Sequence, residues 1–166
     1  MLRLQEIKEK LIDADGTEDW FKELEEDQRA GAKKLLESWK RKQQVQKLEK
    51  EAHIEKVMFD KSFDVNRSGL IAGVDEAGRG PLAGPVVTAA VILRDDTNNL
   101  IGLNDSKQIS RAKRNELALK IKENAISYFI HFQSVEKIDT LNIYEATKQS
   151  MSEAVLSLKI QPSVVL

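Results

Sequence analysis

The chain has 166 residues, a hydrophobic content of 41%, a formal net charge of −1 and no cysteine. This length and apolar content allow one or two small domains. The near-neutral charge favours neither a nucleic-acid nor a membrane partner, and the missing cysteines exclude disulfide bonds and thiolate metal sites. No apolar run reaches the ~18 residues of a membrane helix, and no signal peptide is evident. A soluble, cytoplasmic protein is therefore expected.

The first part of the chain, residues 1–66, predicts a small all-helical domain. It contains no proline, and its apolar residues recur at helical spacing. Its charge is uneven, because residues 18–27 hold six acidic side chains and one lysine, whereas residues 33–50 hold seven basic and two acidic ones. A basic helix face can follow a phosphate backbone, but a solvated helix surface explains the same pattern. Both interpretations stay open on this segment alone.

The second part of the chain, residues 67–166, predicts an α/β domain. Turn-forming residues cluster just before it, where the apolar period changes from helical to strand-like. The predicted strands and helices are 70–75, 85–93, 111–125, 127–135 and 136–159. In the third strand, the alternation of Tyr128, Ile130 and Phe132 predicts that these side chains point inward.

The residues around the end of the first predicted strand carry the clearest chemical signal. Two adjacent carboxylates, Asp75 and Glu76, close the strand, and a glycine-rich loop with Arg79 follows. Hard divalent cations prefer oxygen ligands, and a guanidinium can bind a phosphate through two hydrogen bonds. Gly78 and Gly80 allow the backbone to approach a ligand closely. This order of residues favours a site where metal ions and a phosphate meet.

Three segments of the second domain closely resemble ribonuclease HII, the type 2 ribonuclease H family. They are residues 73–86, which contain the acidic pair and the glycine loop, residues 103–110 and residues 138–151. The helical segment 1–66 is similar to the N-terminal extension of the Gram-positive members. The resemblance implies an RNase H-like mixed sheet with flanking helices, incomplete at the C-terminus, after a small helical domain.

The same resemblance implies a metal-dependent endoribonuclease. Such an enzyme would cleave the RNA strand of RNA/DNA hybrids and incise duplex DNA on the 5′ side of an embedded ribonucleotide, with Mg²⁺ or Mn²⁺ held by carboxylates. Asp75 and Glu76 match the first two catalytic, metal-binding carboxylates. The positions that match substrate-binding residues are Gly78, Arg79, Gly80, Ser106 and Lys107. The expected partners are RNA/DNA hybrid and ribonucleotide-containing duplex DNA, without a membrane, and a monomer is expected.

The sequence departs from the family pattern at its end. In the family a third carboxylate follows the strand that begins here at Val164, and this sequence stops at Leu166. We therefore expect an N-terminal fragment that binds Mg²⁺ poorly and cleaves little or nothing. The alternative is a non-catalytic RNA/DNA hybrid-binding protein that lacks the remaining carboxylates. A third interpretation makes residues 1–66 an autonomous helical interaction domain.

Overall fold

The computed structural model describes residues 2–64, 70–81 and 83–166. Contacts divide the chain into two compact units, Met1–Ala52 and His53–Leu166. The predicted domain boundary between residues 66 and 67 lies outside the described residues, so it stays a prediction. Within the described ranges, no helix combines the length and the apolar character that crossing a membrane requires.

The N-terminal unit is helical, as the sequence predicts. Its helices are α1 (Leu4–Asp13), α2 (Asp19–Glu25) and α3 (Ala30–Ser62), and the last of these continues past Ala52 into the second unit. Apolar residues from all three helices and from the turn after α1 meet in one core. Its buried members are Ile7, Leu11, Ala14, Phe21, Leu24, Ala32 and Leu36.

The second unit is built on a four-stranded mixed sheet, which confirms the predicted fold class. Its strands are β1 (Ile71–Ala77), β2 (Val86–Leu93), β3 (Ala125–Gln133) and β4 (Val164–Val165). Their order across the sheet is β3-β2-β1-β4. β2 is antiparallel to both β1 and β3, and β4 is parallel to β1. The β-branched residues of β2 suit this interior position, since they pack well on a pleated surface.

Three helices accompany the sheet: α4 (Arg111–Asn124), α5 (Val135–Leu141) and α6 (Ile143–Leu156). Ser110 caps α4 as predicted, because its hydroxyl accepts a hydrogen bond from the amide of Lys113. The single helix predicted over 136–159 is wrong. Asn142 has a φ of 72° and breaks it, and its side chain accepts hydrogen bonds from two amides that begin α6. This Asn cap satisfies donors that a helix start otherwise leaves unpaired.

The third strand faces the opposite way from the prediction. Tyr128, Ile130 and Phe132 are 46%, 40% and 68% exposed. The residues between them face α6, where His131 Nδ1 lies 2.8 Å from the hydroxyl of Ser150 on that helix. The alternation has the predicted period, but α6 covers the more polar face, where hydrogen bonds compensate the buried polar groups.

Candidate active site

The strand β1 carries the two candidate carboxylates on opposite faces. β1 continues in register past the predicted end at Asp75, since Asp75, Glu76 and Ala77 pair with Ala89, Thr88 and Val87 of β2. Successive side chains of a strand point to opposite sides of the sheet. Ala72 and Val74 pack in the same cluster as Ala154 of α6, so Glu76 lies on the α6 face and Asp75 lies on the opposite face. The prediction that the strand closes at the acidic pair is wrong, because backbone pairing with β2 extends it.

Asp75 is exposed and borders a cavity of about 650 Å³ in the second unit. Its Oδ1 accepts a 2.8 Å hydrogen bond from the amide of Glu76. Gly73, Val91 and residues 103–105 also line this cavity. No cationic side chain among the described residues forms an ion pair with Asp75, so its carboxylate oxygens remain available to a cation.

Glu76 is more enclosed and already has a cationic partner. Its side chain is 19% exposed, and its Oε1 lies 3.4 Å from Nη1 of Arg79, whose side chain is 48% exposed. A single contact at this distance is a weak bond, and exposed ion pairs contribute little to stability. Arg79 therefore retains most of its donors, and a phosphate could recruit it with little loss of stability.

The glycines of the loop differ in what their position requires. Gly78 has a φ of +92°, and a Cβ at this position would lie 2.4 Å from the carbonyl oxygen of Pro85. Both the backbone conformation and the space at Gly78 therefore demand glycine. At Gly80, by contrast, an added Cβ would meet no atom of the described residues within 4 Å. Local packing does not explain Gly80, and its open backbone is accessible to a ligand.

The segment that contains Ser106 and Lys107 forms a turn ahead of α4. Asp105 stabilises it, because its Oδ1 accepts a 2.9 Å hydrogen bond from the amide of Lys107 and its carbonyl accepts one of 2.8 Å from the amide of Gln108. The side chain of Lys107 is exposed and forms no ion pair with the described residues. Since Asp105 lines the same cavity as Asp75, this turn begins beside the candidate carboxylate site.

Arg114 on α4 also contacts this turn, and the sequence interpretation did not select it. Its Nη1 donates to the carbonyl oxygens of Ser106, at 2.6 Å, and Ile109, at 3.0 Å. The sequence does mark this residue as unusual. Helix N-termini favour negative charge, whereas the first turn of α4 contains Arg114 and no acidic residue.

The carboxylate oxygens of Asp75 and Glu76 suit a hard cation, but the two side chains do not point toward one common position. Carboxylate oxygens suit Mg²⁺ and Mn²⁺. In the described ranges, however, no three His, Cys, Asp or Glu side chains come together as a metal site. Of the acidic pair, only Asp75 lines the cavity. Asp75 thus fits a cation as it stands, whereas Glu76 requires a local change to share the same ion.

The fold and the site define an α/β protein of the RNase H-like class, with an acidic pair and a glycine loop on an interior strand. The family model of ribonuclease HII matches residues 72–166, and that of the ribonuclease HII N-terminal domain matches residues 3–64. The chain therefore belongs to the ribonuclease HII family, which confirms the resemblance seen in its motifs.

Relatives and solved structures agree with this assignment. Ribonuclease HII of Lactobacillus helveticus is 46% identical over 99% of this chain, and that of Oceanobacillus iheyensis is 45% identical over 96%. The aligned region spans 65% and 61% of the length of these relatives. The crystal structure of ribonuclease H2 from Pyrococcus horikoshii matches with a TM-score of 0.51 and 30% identity, covering 57% of this chain and 47% of that one. The ribonuclease HII in a PCNA complex from Archaeoglobus fulgidus matches with a TM-score of 0.50 and 32% identity, covering 58% and 48%.

Proposed function

We propose that this site belongs to a divalent-metal-dependent endoribonuclease that cleaves the RNA strand of RNA/DNA hybrids and incises duplex DNA 5′ of embedded ribonucleotides. The observation that carries the proposal is the position of Asp75. Its exposed carboxylate precedes the Gly78–Gly80 loop and borders the same cavity as residues 103–105, which lead into Ser106 and Lys107. The cytoplasmic location and the monomeric state expected from the sequence stay predictions.

The acidic pair would hold Mg²⁺ or Mn²⁺. Such ions, when bound, activate a water molecule and stabilise the leaving oxygen in phosphodiester hydrolysis. Asp75 offers its oxygens without rearrangement, because it forms no ion pair in the described structure. Glu76 becomes a better ligand when Arg79 turns from it toward a substrate phosphate, since this removes the competing cation. Substrate binding and the final placement of Glu76 are therefore coupled in this proposal.

The substrate would be recognised by the loop residues. A backbone that can approach the ribose closely, as at Gly80, can detect the 2′-hydroxyl that distinguishes RNA from DNA. Arg79 provides a planar set of donors for a phosphate near the junction. Ser106 and Lys107 would contact the sugar-phosphate backbone, which sets the position of the duplex rather than its sequence.

The recognition proposal is tested by fluorescence anisotropy with three duplexes of equal length: an RNA/DNA hybrid, duplex DNA with one ribonucleotide, and duplex DNA. We expect the first two to bind more tightly than duplex DNA. Arg79→Ala should weaken hybrid binding by about tenfold, the effect of losing roughly 1.4 kcal/mol from charge-assisted hydrogen bonds. Lys122→Ala, which removes an exposed cation from the last turn of α4, is the matched control. Equal affinity for the three duplexes would contradict the proposal.

We propose further that these 166 residues bind Mg²⁺ weakly and cleave slowly, because only one of the two carboxylates lines the cavity. Single-turnover cleavage of a labelled hybrid, with protein in excess and Mn²⁺ present, measures this. Slow cleavage that Asp75→Asn abolishes is the expected result. Fast cleavage by the unmodified chain, lost in Asp75→Asn, would refute weak binding while supporting the catalytic role of Asp75.

Hybrid binding without cleavage is the second candidate function. The observation that favours it is the divergence of Asp75 and Glu76 onto opposite faces of β1, which separates the ligands that one ion would share. Tight hybrid binding together with undetectable single-turnover cleavage, in Mg²⁺ and in Mn²⁺, would select this candidate over the enzyme.

A further inference from the structure

The turn that carries Ser106 and Lys107 is fastened at both ends by one side chain. Arg114 Nη1 donates to the carbonyl oxygen of Ser106 at 2.6 Å and to that of Ile109 at 3.0 Å. These two carbonyls flank Lys107 and Gln108. One guanidinium nitrogen therefore fixes the separation between the two ends of the exposed segment.

A second cation holds the chain just before this turn. Lys56, in the part of α3 that belongs to the second unit, donates from Nζ to the carbonyl oxygen of Leu103 and to Oδ1 of Asn104, both at 3.0 Å. Asn104 in turn donates to Gln108 at 2.8 Å. The segment is thus held from α3 and from α4, although it contains no helix or strand of its own.

Helix stability does not explain the choice of arginine at position 114. The first turn of α4 holds several bases and no acid, an arrangement that the helix dipole disfavours. Lys113 is compensated by Glu116, at 3.2 Å. Arg114 has no carboxylate partner among the described residues and instead binds two neutral carbonyls. Residues that are unfavourable for local stability are expected mainly at functional sites, so the charge of Arg114 points to a role outside the helix.

We propose that Arg114 is a positioning residue that holds Ser106 and Lys107 in the conformation that binds the substrate backbone. The inference rests on the proposed function, since it assumes that these residues contact the nucleic acid. A turn held in its bound conformation loses less conformational entropy when the duplex binds. Because the Arg114 charge is not cancelled by a carboxylate, it also adds positive potential beside Lys107. The test must separate these two effects.

The test compares Arg114→Ala with Arg111→Ala in the full chain. Arg111 lies in the same turn of α4 and carries the same charge, and its exposed side chain forms no hydrogen bond or ion pair with the described residues. The probe is the labelled RNA/DNA hybrid in EDTA, measured between about 50 and 200 mM salt. Both variants should lower the salt dependence equally. Arg114→Ala should show a further loss of affinity, of about five- to tenfold, that persists at high salt because ordering is not screened.

A second measurement reports the turn itself. ¹⁵N relaxation should show lower order parameters for the amides of Lys107 and Gln108 in Arg114→Ala and unchanged ones in Arg111→Ala. If Arg114→Ala does not fold, Arg114→Lys keeps the charge but lacks the rigid fork of donors, and it should bind the hybrid about threefold more weakly than the unmodified chain.

The outcomes are distinct. Equal affinities of Arg114→Ala and Arg111→Ala at every salt concentration would overturn the positioning role, and so would full affinity in Arg114→Lys. Failure of the unmodified chain to prefer the hybrid over duplex DNA would instead refute the proposed function, and with it the role assigned to Arg114. Rigid amides in Arg114→Ala would show that other contacts order the turn and would also overturn the inference.

Discussion

At the scale of single residues, the loop after β1 separates two kinds of glycine. Gly78 is required by the fold, because its φ of +92° disfavours side chains and the Pro85 carbonyl occupies the space of a Cβ. Gly80 has neither constraint from the part of the chain that the structure describes. In the sequence both belong to one Gly-Arg-Gly unit, and only the structure distinguishes the structural glycine from the one left free for a ligand.

This difference gives a prediction with an internal control. Gly78→Ala should lower the free energy of unfolding by at least ~1–2 kcal/mol, the cost of a left-handed conformation, with an additional contribution from the contact with Pro85. Gly80→Ala should change it by less than ~0.5 kcal/mol, as at other open surface positions. Urea denaturation of both variants measures these values.

Hybrid affinity should depend on Gly80, whereas the stability of the fold should depend on Gly78. Gly80→Ala should weaken binding to an RNA/DNA hybrid while leaving the stability intact, because a methyl group there would stand between the backbone and the ribose. A Gly80→Ala variant with unchanged affinity would remove Gly80 from the proposed interface. A Gly78→Ala variant as stable as the unmodified chain would contradict the steric argument at Pro85.

At the scale of the elements, local sequence patterns predict which segments form strands and helices. Where a strand ends and which of its faces is buried depend on the elements that pair with it or pack against it. The β-branched run of β2 and the Ser110 cap of α4 were predictable because both depend on neighbouring residues. The extension of β1 to Ala77 depends on pairing with β2, and the orientation of β3 depends on where α6 packs. The break at Asn142 interrupts a continuous helical pattern, so periodicity alone does not detect it.

In the candidate site too, some features can be predicted from neighbouring residues, whereas others depend on contacts between elements. Adjacent residues in the sequence are enough to predict that the acidic pair and the glycine loop form a site, and this assignment stays a prediction. The divergence of Asp75 and Glu76 follows from the register with β2, which the sequence does not contain. The role of Arg114 cannot be predicted from the sequence, because its acceptors are main-chain carbonyls, which every residue possesses.

The connection between α2 and α3 contains a partly buried ion pair, in which the side chain of Arg29 is 38% exposed. Asp27 is 4% exposed, and Nη2 of Arg29 lies 2.6 Å from its Oδ2. Arg29 also donates to the carbonyl oxygen of Leu2 at 2.7 Å, so the pair links this connection to the start of the chain. Hydrogen bonds from the Arg29 side chain and amide lower the pKa of Asp27 from 3.8 to about 2.

This lowered pKa predicts a specific acid sensitivity. Because the folded state favours ionised Asp27, the stabilisation is complete above the ordinary pKa near 3.8 and is lost as the pH falls through about 2. The free energy of unfolding should therefore fall more steeply between these values in the unmodified chain than in Asp27→Asn. Fluorescence of Trp20 and Trp39, which both pack on the N-terminal core, follows the transition. Asp13→Asn, at an exposed position, should keep the slope of the unmodified chain, and an equal slope in Asp27→Asn would contradict the prediction.

At the scale of the whole molecule, a net charge of −1 conceals an uneven distribution. The basic segment 33–50 lies within α3, and the structure shows that its charges are not equivalent. Lys40 is compensated, because its Nζ lies 2.6 Å from Oε1 of Glu25. Arg41 and Lys42 are exposed and have no ion-pair partner in the described structure. If the helical segment contributes phosphate affinity, Arg41 and Lys42 are the residues that should provide it.

This interpretation predicts a change in the salt dependence of binding. Each phosphate contact contributes about 0.9 to the slope of log K against log salt for duplex DNA. Arg41→Glu/Lys42→Glu should therefore weaken hybrid binding and flatten its dependence between about 50 and 200 mM salt. Lys8→Glu/Lys22→Glu changes the net charge equally at exposed positions on α1 and α2, and it should leave most of the slope intact. If both double variants gave the same slope, the effect would belong to the overall charge, and the basic face of α3 would be an ordinary solvated surface.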